Sequence, residues 1–116
     1  MSWELANEPR RLNTSWLNQT ACLIKSLDSV HLVTTGVEGN ISSTNFSNDH
    51  SSNCIDYATF HLWVQNWEIY DPMHPSETLP EAIDFAKKYI DYHVKYTKKP
   101  VVLEEFGISR YSFSFC

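Results

Sequence analysis

Along this chain the spacing of apolar positions switches repeatedly between the two-residue repeat of a strand and the 3.6-residue repeat of a helix. Ser2 to Asn7 reads as a short strand, and Pro9 with Arg10-Arg11 opens a polar turn. Thr14 and Ser15 are good N-cap residues, and Leu17, Ala21, Ile24 and Leu27 follow at helical spacing, predicting a helix to about Asp28. His31-Leu32-Val33-Thr34-Thr35 is a β-branched strand run stopped by Gly36. From Gly36 to about Asn53 the chain is rich in Ser, Thr, Asn and Gly and reads as a long loop with room for a short helix. Ile55 to Trp63 returns to strand character, and an aromatic-rich loop follows to Glu77. Thr78 and Glu81 then form a capping box with Pro80 in the first turn, and Ala82, Ile83, Ala86, Ile90 and Val94 predict the buried stripe of a long helix. Asp84 to Lys88 and Asp91 to Lys95 supply i,i+4 pairs on its wet side. Pro100 ends the helix, and Val101-Val102-Leu103 forms a last strand.

This alternation predicts an α/β fold with about four parallel strands and flanking helices. Four strands are too few to close a barrel of eight strands and about 250 residues. No linker, repeat or low-complexity run divides the 116 residues, which read as one domain or part of one.

With a net charge of −5 and no basic stripe, the chain is not expected to bind nucleic acid. No apolar run is long enough to span a membrane, and Met1 leads straight into a strand without the marks of a signal peptide. Cys22, Cys54 and Cys116 lack metal-type spacing, and an odd count cannot close entirely on itself; a Cys22–Cys54 bridge is a minority possibility. Asn13, Asn18, Asn40 and Asn45 each begin an N-glycosylation pattern, a weak hint of secretion.

The chemistry is carried by two strings, Asn7-Glu8-Pro9 and Glu105-Phe106-Gly107. Each places a carboxylate where a strand ends, and the carboxyl ends of parallel strands open onto one face, so two acids distant in sequence can share a cleft. Retaining hydrolysis of a glycosidic bond needs such a pair about 5–5.5 Å apart, one acid to protonate the leaving oxygen and one carboxylate to attack the anomeric carbon. Asn7 is suited to hydrogen-bond a sugar hydroxyl beside the reacting carbon. His61 and Trp63 alternate along one strand and can face the same side, and Trp67 offers a flat surface for a sugar ring. Strand alternation groups Val101, Leu103 and Glu105 on one side, so Glu104 should point away from the cleft and need a partner or water there. Each residue has a plainer reading: a strand-to-turn junction for Asn-Glu-Pro, a structural role for His61, core packing for the tryptophans. His31, His50, His74 and His93 show no metal-ligand spacing and read as structural or solvated.

At these residues the sequence resembles glycoside hydrolase family 5, and within it the endo-β-1,4-mannanases, from barrel strand four to barrel strand seven. Trp3-x-Leu5-Ala6-Asn7-Glu8-Pro9-Arg10 is similar to the acid/base strand, which implies that Glu8 is the proton donor and Asn7 its sugar-binding neighbour. Gly36-x-Glu38-Gly39 resembles the loop after the fifth strand, implying a substrate-binding role for Glu38. Asp56-Tyr57-x-Thr59-x-His61-x-Trp63-x-x-Asn66-Trp67 resembles the sixth strand, and Lys99-Pro100-Val101-Val102-Leu103-Glu104-Glu105-Phe106-Gly107 the seventh, which implies that Glu105 is the nucleophile. Val64-Gln65, and Tyr111 after Arg110, depart from the pattern in loops that meet substrate.

The resemblance implies an incomplete (β/α)8 TIM barrel, residues 1–116 being part of a family 5 catalytic domain. It implies an extracellular enzyme, monomeric at full length, that acts on mannan or glucomannan with no cofactor or metal. A cellulase or β-glucanase of the same family is the competing enzyme. A non-catalytic fragment that at most binds polysaccharide is the competing reading outside catalysis. The family's first three strands and its eighth have no counterpart here, so the isolated chain is expected to have exposed sheet edges, marginal stability and little activity.

Overall fold

The computed structural model describes residues 1–10, 13–39 and 45–109. Arg11, the glycosylation pattern at Asn40, the Arg110-Tyr111 pair and Cys116 lie outside them. The element order is β1 (Ser2–Glu4), α1 (Thr14–Leu27), β2 (Leu32–Thr34), α2 (Asn45–Asp49), β3 (Ala58–Leu62), α3 (Pro75–Tyr96) and β4 (Val101–Phe106). The order of strands and helices follows the predicted alternation, a short helix α2 forms inside the Ser/Thr-rich loop, and β4 runs on to Phe106, past the expected Val101-Val102-Leu103.

The strands pair in parallel, but as two couples, β1 with β2 and β3 with β4. Side chains and single backbone bonds bridge the couples. Asp56 stands where a strand partner would: its N–H donates to the Val33 carbonyl at 2.8 Å, and its Oδ2 accepts from the Val33 N–H at 2.7 Å. The same carboxylate pairs with Lys25 of α1 at 2.9 Å. Further along, the His61 N–H donates to the Glu38 carbonyl at 2.7 Å.

Helix α1 is capped one residue before the Thr14-Ser15 pair expected from sequence. Asn13 is the N-cap, its side chain accepting from the Ser15 and Trp16 N–H groups, which satisfies donors with no partner inside the helix. Ala21 and Ile24 lie against Val33 and Ile55. The Cys22–Cys54 bridge, the minority pairing on sequence, forms with its Cα atoms 5.0 Å apart and ties α1 to the segment leading into β3.

Helix α3 departs from expectation twice. It begins at Pro75, not Thr78, because Pro75 at the first helical position needs no N–H partner. Thr78 instead sits one turn in, its hydroxyl 2.9 Å from the His74 carbonyl, and Pro80 lies inside the helix. Its buried side is also different: Ala82, Tyr89 and His93 are enclosed and Phe85 is half-buried, whereas Ile83 and Val94 are 46% and 57% exposed. The aromatic stripe wins because it packs on the sheet. Tyr89 and His93 ring centroids lie 5.7 and 4.9 Å from that of Phe60 on β3. Leu79, Ile83, Ile90 and Val94 lie outside that stripe and stay 39–57% exposed. Of the two expected ion pairs on α3, Lys88–Asp84 forms at 2.6 Å, while Lys95 lies over the Tyr96 ring.

Beneath this layer sits a buried polar knot. His50 Nδ1 lies 2.9 Å from the Phe46 carbonyl and its Nε2 lies 2.7 Å from the Thr35 hydroxyl, with the Thr59 N–H donating to the same nitrogen. These partners fix a neutral ring with its proton on Nδ1. Burial holds its pKa down to about 4. His93 is likewise buried, with Nδ1 2.7 Å from the Tyr89 carbonyl, and burial lowers its pKa too. Both histidines are structural, as their sequence spacing implied.

Candidate active site

The two acidic strings meet at the carboxyl ends of the strands. Glu8 follows β1 in the left-handed region at φ +42°, an uncommon state for a residue with a Cβ and costing of order 1 kcal/mol. Its N–H donates to the Gly36 carbonyl at 2.9 Å. Gly36, at φ +74°, is required here: a Cβ would lie 1.9 Å from the Ala6 carbonyl oxygen, so only glycine lets the loop after β2 approach the Asn-Glu-Pro turn. The acid is therefore aimed by a backbone clamp between two loops.

Glu105 is aimed differently. In the β3–β4 register Phe60 faces Leu103 and His61 faces Glu105, so Glu104 is an extra residue, a bulge in the ladder. Unbroken alternation would have put Glu105 on the side of Val101 and Leu103, which pack toward the α3 cluster. That expectation is corrected by the bulge, which turns Glu105 onto the His61 side while Phe106 returns to the α3 side beside Leu79 and Ile83. Bulges commonly re-aim side chains next to active sites. The same bulge leaves Glu104 opposite His61 as well.

The result is a compact cluster. Glu8 Oε1 lies 2.7 Å and Glu105 Oε2 3.5 Å from His61 Nδ1, and the three groups' facing atoms all fall within 4.8 Å of one another. His61 is fully buried, and the two carboxylates are about one-third exposed. One heavily enclosed imidazole thus separates two acids that open to solvent. Two carboxylates and an imidazole can also accept a divalent cation. We read them as acid–base groups because Nδ1 is already hydrogen-bonded to Glu8.

Trp63 lies on the same side as His61, as expected, and its Nε1–H donates to Glu105 Oε2 at 3.2 Å. Its ring also explains the glycine of Glu-Phe-Gly. A Cβ at position 107 would stand 2.3 Å from Trp63 Cζ3, so the indole can hold Glu105 only if residue 107 is glycine. Asn7 is exposed, and its amide has no hydrogen-bond partner among the described residues.

Two expected substrate residues also make contacts within the fold. Trp67 packs with Phe85 and Tyr89 at centroid distances of 6.1 and 5.5 Å, so its ring is engaged by α3 because the loop after β3 folds back onto that helix. Glu38 reaches the site through its backbone: its carbonyl accepts from the His61 N–H and from the Tyr89 hydroxyl. Its carboxylate acts on the Tyr89 phenol, whose pKa is raised by burial first and by that charge second. Glu104, expected to point away from the cleft, instead has its Oε2 3.6 Å from His61 Nε2 because of the bulge. The signal was the doubled Glu104-Glu105 at a strand end, where one extra residue turns two neighbours to one face.

A family model described as GH family 5 β-mannosidase-like matches residues 1–116. Mannan endo-1,4-β-mannosidase 3 of Arabidopsis thaliana is 29% identical over 92% of this chain, which spans 31% of that protein. A probable mannan endo-1,4-β-mannosidase A-2 of Aspergillus terreus is 31% identical over 93% of the chain, again spanning 30% of the relative. Among solved structures, a glycoside hydrolase family 5 mannosidase from Rhizomucor miehei aligns over 95% of this chain and 27% of its own length, with 39% identity and a TM-score of 0.80. A mutant of that enzyme in complex with mannosyl-fructose aligns with a TM-score of 0.87 at 38% identity. The chain thus spans under a third of the length of these relatives.

Proposed function

Because the chain belongs to glycoside hydrolase family 5 as a β-mannosidase-like member, we propose that it is the part of a (β/α)8 barrel that carries both catalytic carboxylates of a retaining β-mannan hydrolase. The observation that carries this reading is the approach of Glu8 and Glu105 within 4.8 Å across His61. That approach is in keeping with the short spacing of a double displacement rather than the wider gap in which an inverting enzyme holds its water.

Glu8 protonates the oxygen of the leaving sugar while Glu105 attacks the anomeric carbon and forms a glycosyl-enzyme. Glu8, now ionised, takes a proton from water as that water displaces Glu105. Trp63 restrains one oxygen of Glu105, so the other is presented to the sugar. His61 restrains one oxygen of Glu8 in the same way. The exposed amide of Asn7, next to Glu8 in sequence, binds the hydroxyl next to the reacting carbon, where a hydrogen bond can strengthen in the transition state. No step needs a metal, so dialysis against a chelator should leave the activity intact.

Extracellular action is supported by the Cys22–Cys54 bridge, which belongs to an oxidising compartment. No helix among the described residues is long and apolar enough to cross a membrane.

The chain alone leaves β1 and β4 with one neighbour each and the outer face of α3 bare, and it hydrolyses little or nothing by itself. The test is therefore a graft, in which this chain replaces the matching quarter of the Rhizomucor miehei mannosidase. The graft should hydrolyse β-mannan, and Glu8→Ala or Glu105→Ala should each lower kcat by about a thousandfold or more. A folded graft that is inactive, or that keeps its rate in Glu105→Ala, overturns the assignment.

A second reading is favoured by the higher identity to the mannosidase than to the curated endo-mannosidases, 39% against about 30%. In it the substrate is a short β-mannoside rather than an internal polymer linkage. Product lengths released early in the reaction separate the two: mixed oligosaccharides for internal cleavage, single mannose units for terminal cleavage.

A further inference from the structure

We propose that Glu104 is a positioning residue of this site: it backs His61 from the far side of the ring, so that Glu104, His61 and Glu8 form one proton-sharing chain. The inference rests on the reading of Glu8 as the acid, and it gives that acid a control point that substrate never touches.

Geometry carries it. His61 is fully buried on β3 with Nδ1 turned to Glu8 and Glu105 and Nε2 turned to Glu104. Among the described residues neither buried atom, His61 Nε2 or Glu104 Oε2, has a hydrogen-bond partner, yet they lie 3.6 Å apart, a few tenths of an ångström beyond bonding distance. Two orphaned polar atoms that face each other are a pair waiting to close, since each alone carries the desolvation penalty of an unsatisfied group.

The groups around Glu104 come from three elements: Glu4 on β1, Thr59 and His61 on β3, and Glu105 beside it on β4. Burial, and next the charge of Glu4, raise the Glu104 pKa, while hydrogen bonding and charge from His61 oppose them. The carboxyl group thus titrates above the ordinary glutamate range, next to a ring that offers it a nitrogen.

The consequence follows from proton counting. When Glu104 is protonated, its O–H donates to Nε2, so the ring carries its proton on Nδ1 and donates to Glu8. When Glu104 is ionised, it accepts from Nε2–H, and Nδ1 can keep a proton only if the ring is charged. Otherwise Nδ1 becomes an acceptor for the proton of Glu8. One proton at Glu104 therefore decides whether His61 gives a hydrogen bond to Glu8 or takes one.

The test is nuclear magnetic resonance of the Rhizomucor miehei graft, isotope-labelled in the 116-residue segment, reading the Glu104 carboxyl carbon and the His61 ring nitrogens across pH. The ring signals should show a step at the pH where the Glu104 carboxyl titrates, and Glu104→Gln should remove that step while the ring resonances of His50 and His93 stay in place. Ring signals without a step at the Glu104 midpoint overturn the proposal, as does a step that persists in Glu104→Gln. The wild-type coincidence decides even if the variant does not fold. Because no hydrolysis is read, this result stands apart from the fate of the mannanase assignment.

Discussion

The two strand couples hold their carboxylates by different means. The β1–β2 couple is short, three residues against three, and is stiffened from outside by the Cys22–Cys54 bridge and by Asp56. Its acid, Glu8, sits on a loop clamped by backbone to Gly36. The β3–β4 couple is longer and is stiffened from within, by Phe60, Tyr89, Trp67 and Phe85 packed between sheet and α3. Its acid, Glu105, sits inside the strand, turned by a bulge and held by an indole. The contrast teaches that a small element with little core of its own needs a covalent tie to aim a side chain, whereas a packed couple can use strand geometry alone.

Breaking the covalent tie should produce the largest effect. Closing a loop with the 32-residue separation of Cys22 and Cys54 is worth roughly 3–4 kcal/mol on the chain-entropy model. Cys22→Ser should lower the stability of the oxidised chain by about that amount in urea unfolding. Hydrogen exchange should rise first in α1 and β2 and later in β3 and β4. Uniform loosening of both couples would contradict the division.

The packed couple is probed at Gly107. A methyl group there must displace the Trp63 ring, so Gly107→Ala should cost about 1–3 kcal/mol by overpacking and lower kcat of the grafted enzyme severalfold as Glu105 loses its restraint. Trp63→Phe combined with Gly107→Ala should add little to either change alone, which a double-mutant cycle reads.

The seam between the couples is the His50 knot, joining Thr35 after β2 to Thr59 of β3. Its folded pKa of about 4 lies below the ordinary value of 6.5, so the unfolded chain binds the proton more readily. The stability from this neutral ring is complete above about pH 6.5 and is lost as pH falls toward 4. Between pH 7 and 5 the loss should be about 2 kcal/mol, and His93 should add to it in the same direction. Equilibrium unfolding at the two pH values in the chain and in His50→Gln checks this: the variant should show a flatter dependence.

Much of this was written in local sequence. Periodicity predicted the alternation of strands and the two long helices because each has a polar face or a nearby turn residue, whereas the short α2 had only composition to suggest it, and α3 ends at Tyr96, ahead of Pro100. The two acids were legible because Pro9 and Gly107 punctuate strand ends. What was not legible needed the third dimension. The α3 stripe was misjudged because Tyr89 and His93 look polar in a list, yet they pack their rings on Phe60 while Ile83 and Val94 stay exposed. The bulge at Glu104 depends on cross-strand register, which no single strand specifies, and it reverses the side on which Glu105 falls. The sequence offered Trp67 to a sugar or to a core, and it could not show that its loop folds onto α3, where the ring meets Phe85 and Tyr89 while staying half-buried.

The spacing of Glu8 and Glu105 bears directly on stereochemistry, and the most direct measurement is the anomeric configuration of the first product. Proton magnetic resonance of the grafted enzyme acting on a β-mannoside, read before mutarotation, should show the β-anomer appearing first, as the double displacement across a short carboxylate gap requires. The α-anomer appearing first would mean a single displacement by water between more distant acids, and would contradict the account.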